Sequence, residues 1–207
     1  MTVSGHYLPQ FYTGHAGTPF LNEIMIFAAE KLIYLIPVAL LYLWLTVEEG
    51  QSNSGFRIPF VPSWLTAENG KSKSVFIFVT IVASLAVSFV LGQFYAHPAP
   101  YMVGYDTLLM DAPENSFPST HTTVVFAFVW PLFYLLDRWR YGLVALVLAA
   151  LVGISRVYVG VHYPIDIVGA IGASLLGFVL VYAVRSPVMA FASQCIRIER
   201  YVAQKVV

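Results

Sequence analysis

The chain has 207 residues, 58% of them hydrophobic and 11% charged, with a mean hydropathy of +0.74 and a formal net charge of zero. That composition excludes an ordinary soluble domain, and the balanced charge gives no electrostatic ground for a nucleic-acid partner. Cys195 stands alone, which excludes an intrachain disulfide. In chain order, the first 20 residues carry no Lys or Arg and no long apolar core, so they do not read as a cleaved signal peptide. Apolar runs near the length that crosses a bilayer then follow at about 21–47, 74–95, 122–136, 141–155 and 165–184. The third and fourth are short as pure apolar runs, and the first holds Glu23, Glu30 and Lys31 toward its start. The expectation is an all-α fold: an integral membrane helical bundle of about five transmembrane helices, forming one membrane-embedded domain over 1–207.

With five spans, the connecting loops alternate sides. One side holds Arg57, Lys71, Lys73, Arg138, Arg140, Arg185, Arg197, Arg200 and Lys205, while only Lys31 and Arg156 lie elsewhere. The positive-inside rule makes the first side cytoplasmic. The N-terminus, the 96–121 loop and the 156–162 loop then face outward, and the C-terminus faces the cytoplasm. Trp44, Trp130 and Trp139 fall near span ends, as interface anchors do.

Two clusters of polar residues fall on that outer face. The stretch Ser155-Arg156-Val157-Tyr158-Val159-Gly160-Val161-His162-Tyr163-Pro164-Ile165-Asp166 sets ionisable groups between two apolar runs, and such groups at a membrane edge mark a functional site by default. Pro164 suits the first position of a helix. Asp166 then falls in its first turn, where it can hold one nitrogen of His162 and leave the other to react, and Arg156 can supply a planar fork for an anion. The stretch Asn115-Ser116-Phe117-Pro118-Ser119-Thr120-His121-Thr122-Thr123 precedes the third run. Ser119 or Thr120 is a good helix N-cap, and the backbone N–H groups and dipole of that helix favour a phosphate. Taken singly, each of these residues is a cap or a headgroup anchor. Together they suit phosphoryl transfer with one histidine as nucleophile and another as acid.

These residues resemble the type 2 phosphatidic acid phosphatase superfamily, which shares its site with vanadium haloperoxidases. That family reads Lys-x6-Arg-Pro, then Pro-Ser-x-His, then Ser-Arg-x5-His-x3-Asp. The second motif matches at Pro118, Ser119 and His121, and the third matches in full at Ser155, Arg156, His162 and Asp166. The 115–123 tract also resembles bacterial undecaprenyl diphosphate phosphatases. The resemblance implies that His162 attacks phosphorus, that Asp166 orients it, and that His121 protonates the leaving group and then activates water. It implies that Ser119, Thr120, Ser155, Arg156 and nearby backbone N–H groups bind the phosphoryl oxygens, with no metal and no cofactor.

The first motif departs from the pattern. Counting back from Pro100, the expected arginine falls on Ala99 and the expected lysine on Gly92. Two readings stay open. Either the family varies here, with Gln93, His97 or Lys31 compensating, or an arginine has been replaced. Glu30 and Lys31 are adjacent, so they are expected to point to different helix faces and not to form an i,i+4 pair. The function expected is a multi-pass lipid phosphatase of the bacterial inner membrane, its site facing the periplasm or cell exterior. Its expected partners are membrane lipids and a polyprenyl or other lipid phosphate substrate. The expected reaction takes undecaprenyl diphosphate to undecaprenyl phosphate through a phosphohistidine. The alternatives are another lipid substrate (phosphatidic acid, phosphatidylglycerol phosphate, lipid A phosphate), phosphotransfer to a lipid acceptor, or an inactive lipid-binding or transport protein lacking the first-motif cations.

Overall fold

The computed structural model describes residues 18–45, 70–109, 115–135 and 139–206. The N-terminus, most of the 48–73 loop with Arg57, the span ends at 46–47 and 136, and Arg138 lie outside the described residues. Among the described residues every regular element is a helix: α1 Pro19–Glu30, α2 Leu35–Leu45, α3 Gly70–Phe94, α4 Thr120–Leu135, α5 Trp139–Tyr158, α6 Pro164–Ala183 and α7 Arg185–Val206. Four helical stretches are long and apolar enough to cross a membrane, α1 and α2 counting together as Pro19–Leu45. The 16 residues of α4 make a shorter apolar helix in the place of the expected third span.

Local chemistry explains the ends. Pro19 begins α1, and Thr18 Oγ1 accepts the Leu21 N–H at 3.3 Å, satisfying a donor that has no partner within the helix. The first span, expected as one run, breaks after Glu30 into a single 3₁₀ turn, Leu32–Tyr34. Pro37, three residues into α2, supplies the cause. It has no N–H for the Ile33 carbonyl, and its ring crowds that carbonyl. The tail beyond Ala183 is also helical, as α7, which a search for apolar runs passes over because Ser193, Gln194 and the charges from Arg197 onward keep its apolar stretch short. Lys71 Nζ of α3 meets Glu199 Oε2 of α7 at 2.7 Å, and α7 buries Ala192 and Ile196.

Helices α3, α4 and α6 pack pairwise at the centre of the bundle, α5 packs on α4 and α1, and α2 and α7 pack on α3. Lipid tails are as apolar as leucine, so close packing and interhelical hydrogen bonds hold such helices together. Gly177 of α6 shows how closely α3 approaches: a Cβ there would lie 2.6 Å from Ser84 Cα. Beside it, Ser84 Oγ donates to Ser174 O at 3.2 Å, and Trp130 Nε1 of α4 donates to Ser174 Oγ at 2.9 Å. The core around Ile77, Phe126, Val129 and Val152 fills the middle of the bundle. A smaller cluster of Met25, Ala29, Val159 and Val161 joins α1 to the α5–α6 connection. This packing brings the start of α4, the end of α5 and the start of α6 to one end of the molecule, where Ser119 N–H donates to Asp166 O at 3.3 Å.

Candidate active site

Asp166 is the organising group. It is the third residue of α6, which Pro164 begins, and it has no exposed surface. A carboxylate so buried needs donors on its oxygens. Oδ2 accepts the Tyr163 N–H at 2.8 Å and the Ser116 hydroxyl, and lies 3.3 Å from His162 Nδ1. Oδ1 lies 2.9 Å from His97 Nε2, near enough for an ion pair but out of line for a hydrogen bond.

His162, also buried, is thereby held in one tautomer. Nδ1 faces Asp166 Oδ2 and, at 3.1 Å, Ser116 Oγ, whereas Nε2 faces Arg156 Nη2 at 3.4 Å. A guanidinium only donates. The arrangement that suits all three contacts puts the proton on Nδ1 and leaves the Nε2 lone pair toward the guanidinium. Burial pushes the imidazole below its ordinary 6.5 and the Arg156 charge adds to this, while the hydrogen bonds with Asp166 and Ser116 act in the other direction. The ring is thus kept neutral and its Nε2 unprotonated, the form a nucleophile requires.

Arg156 lies in the last turn of α5 and is 4% exposed. Its Nη1 donates to Ala29 O at 3.4 Å, in the last turn of α1, where helix carbonyls carry partial negative charge. The break before α2 gives that carbonyl end its place beside the guanidinium. Arg156 Nε has no hydrogen-bond partner among the described residues, so this donor remains for a bound anion.

Helix α4 begins beside this group. Ser119 is buried directly before it, and its Oγ accepts the Thr122 hydroxyl at 3.1 Å. His121, half-buried in the first turn, is near enough to Arg156, His162 and Glu30 for their charges to act on it. Ser116, His121, Arg156, His162 and Asp166 therefore share one site. Thr120 is exposed. Ser155 is buried, with its hydroxyl donating to Val152 O of its own helix at 2.7 Å. Among the described residues no group of three or more His, Cys, Asp or Glu side chains could hold a metal ion.

The first-motif positions fare differently. Gly92 lies against the Phe117 backbone: a Cβ there would sit 3.0 Å from Phe117 O and 3.2 Å from the Asn115 amide nitrogen. A residue with a Cβ at 92 would need the Phe117 carbonyl and the Asn115 amide to give way by a few tenths of an ångström. Gln93 is exposed, while Ala99 and Pro100 are buried at the start of a short 3₁₀ turn, Pro100–Val103. Lys31 Nζ pairs with Glu30 Oε2 at 3.1 Å; the helix break lets these neighbours meet where a continuous helix would part them. His97 reaches the site by way of Asp166.

Sequence reasoning missed Ser116. The signal was present in the 115–123 tract, but a serine three residues before the motif serine has no helical register to mark it. The chain pairing that brings it in is an isolated bridge between Pro98 and Asn115, with Ser116 N–H donating to His97 O at 2.9 Å.

Residues 73–189 match the family model of the PAP2 superfamily. The chain is 32% identical to the YbjG protein of Escherichia coli K12 over 161 residues, 77% of this chain and 71% of that one. It is 28% identical over 160 residues to the undecaprenyl-diphosphatase BcrC of Bacillus subtilis 168, 76% of this chain and 72% of that one. The crystal structure of a transmembrane PAP2-type phosphatidylglycerolphosphate phosphatase from Bacillus subtilis has a similar fold. Its TM-score is 0.57 at 22% identity, over 83% of this chain and 80% of that one.

Proposed function

We propose, for a chain that belongs to the PAP2 superfamily and is a membrane lipid phosphatase of that kind, that its substrate is undecaprenyl diphosphate and its product undecaprenyl phosphate. The observation that carries the reaction is the His162 ring, with Nδ1 against Asp166 and Nε2 against Arg156. His162 Nε2 attacks the terminal phosphorus, and the bond from that phosphorus to the bridging oxygen breaks. The bridging oxygen leaves with undecaprenyl phosphate and takes a proton from His121. Water then attacks the phosphohistidine, giving its proton to His121, and the N–P bond breaks to release inorganic phosphate. Arg156, Ser119 and the backbone N–H groups at the start of α4 hold the phosphoryl oxygens. Positioned charge is the chief requirement of such a transfer.

The name of the BcrC relative supports the substrate, as does a site at one end of a lipid-facing bundle, where a phosphate head can enter while its tail stays in the bilayer. We place the site on the periplasmic or outer face, because Lys and Arg gather at the other, and we read 1–207 as a single domain.

The test is phosphate release by the purified protein from a panel of undecaprenyl diphosphate, phosphatidic acid, phosphatidylglycerol phosphate and lipid A phosphate. Fastest release from undecaprenyl diphosphate supports the assignment, and preference for another lipid replaces it. Release from none, with lipid binding retained, favours the inactive reading that the missing first-motif cations suggest. An acid-labile label on His162 after rapid quench identifies the intermediate. Labelling by an impermeant thiol reagent at cysteines placed at Thr13 and Asn115, but not at Asn53 or Gln204, checks the orientation.

A further inference from the structure

Asp166 is shared by two histidines, and only one of them belongs to the motif that drew attention to it. His97 Nε2 lies 2.9 Å from Asp166 Oδ1, while the three hydrogen-bonding contacts of the carboxylate all fall on Oδ2. The two atoms are out of line for a hydrogen bond, so the contact is a close approach of the imidazole edge to the carboxylate oxygen otherwise unbonded among the described residues. His97 Nδ1 faces a second acceptor, Pro98 O, at 3.3 Å.

The ring is also fixed in place. It packs edge-on against Tyr95 and Tyr163, with ring centroids 5.3 Å and 5.2 Å apart, and stands 6.3 Å from Phe117. Its backbone is held on both sides: His97 N–H donates to Asn115 Oδ1 at 3.3 Å, and His97 O accepts the Ser116 N–H at 2.9 Å. A surface histidine with an incidental neighbour would not be gripped by ring, N–H and carbonyl together.

We propose that His97 is a positioning residue that clamps the Oδ1 side of Asp166 and so fixes the plane in which Oδ2 meets His162. It acts through Asp166 and does not touch the phosphate. In a segment where Gly92 and Ala99 stand in the places of a lysine and an arginine, His97 meets the carboxylate rather than the substrate. The inference deepens the proposed mechanism and rests on the reading of His162 as nucleophile.

Three variants and two readouts test it. His97→Phe keeps the aromatic packing and removes both ring nitrogens. His97→Gln keeps a donor able to reach Oδ1. Asp166→Asn removes the charge that His97 meets. Turnover is measured on the full-length protein with the lipid diphosphate, and orthovanadate binding, as a phosphoryl mimic, is measured by titration. The expected result is a loss of roughly tenfold or more in kcat for His97→Phe, with KM within about twofold. His97→Gln should recover most of that loss, and His97→Phe should add little once Asp166→Asn is present. Full activity in His97→Phe, no recovery in His97→Gln, or losses that multiply in the double variant would each overturn the proposal. Vanadate separates its failure from that of the parent reading. If no lipid phosphate is turned over but vanadate binding weakens in His97→Phe and returns in His97→Gln, the clamp stands and the substrate assignment falls. If vanadate binding is the same in all variants, the clamp falls.

Discussion

The 155–166 stretch and the 92–100 stretch both end on Asp166, one at each carboxylate oxygen, but they arrive by different means. The first is a helix end, a short connection and a helix start, so Arg156, His162 and Asp166 take their positions from backbone geometry that their spacing already encodes. The second has no such frame. Its polar residues are placed by a single bridge to Asn115, by aromatic packing around His97, and by a glycine pressed against a neighbouring loop. Motif spacing is therefore informative where it is counted along helices. Where the chain is irregular, the same count names positions without saying what they touch.

The variants that should separate the two stretches most widely lie in the first. His162→Ala should abolish measurable turnover. Asp166→Asn should lower kcat on the order of 10³- to 10⁴-fold, because an amide can neither hold the required tautomer nor stabilise the imidazolium that forms. Retained turnover in His162→Ala would remove the nucleophile assignment. Arg156→Lys comes next. An ammonium lacks the fork that can hold Ala29 O and, in the proposed mechanism, a phosphoryl oxygen together, and roughly 10- to 100-fold in kcat/KM should be lost. Unchanged kinetics together with insensitivity to orthovanadate would reduce Arg156 to an interface anchor.

In the second stretch the expected effects are smaller and of opposite sign at two positions. Ala99→Arg should raise kcat/KM by about tenfold, the worth of one charged hydrogen bond to a phosphate. Gly92→Lys should not help, because even its Cβ meets Phe117 O at 3.0 Å, and reduced thermal stability is the expected readout. If Ala99→Arg is neutral or harmful on the lipid diphosphate, the site is complete without that arginine.

How much of this was legible follows from the same contrast. The helical membrane bundle is written in apolar runs of the right length, and the polar cluster in the spacing of Pro164, His162 and Asp166. The break after Glu30 was also written, in Pro37, yet a hydropathy reading of 21–47 passes over it because proline there interrupts no apolar run. Helix α7 escaped for the reverse reason: it is helical and amphipathic but its apolar run is far too short to span a bilayer. The roles of Ser116 and His97 depend on two loops pairing across 18 residues of sequence, as the His97 N–H to Asn115 contact spans. No local periodicity encodes that pairing.

The pH dependence tests whether burial governs His162. Its imidazole titrates below the ordinary 6.5 because burial and the Arg156 charge disfavour the cation. The nucleophile therefore stays neutral to a lower pH than an ordinary histidine, and the decline of kcat/KM that it sets should be centred below 6.5. A decline centred at or above the ordinary value, with the phosphate ionisation of the substrate taken into account, would mean that the Asp166 hydrogen bond outweighs burial.

The smallest effect belongs to the residue that joins the two stretches. Ser116 bonds Asp166 and His162 through its hydroxyl and His97 through its N–H. Ser116→Ala removes the hydroxyl and leaves the backbone tie intact. Asp166 Oδ2 keeps the Tyr163 N–H at 2.8 Å and His162 Nδ1 at 3.3 Å, so the carboxylate is not left without donors. The loss is that of one replaceable hydrogen bond, about 0.5–1.5 kcal/mol, or roughly two- to tenfold in kcat with KM unchanged. If Ser116→Ala is as damaging as Asp166→Asn, the hydroxyl does more than steady the pair, and proton transfer through Ser116 becomes the step to test. If it is silent, the backbone bridge from Asn115 to Pro98 is enough to join the two stretches, and the His97 contact with Oδ1 gains weight as the link that sets the carboxylate plane.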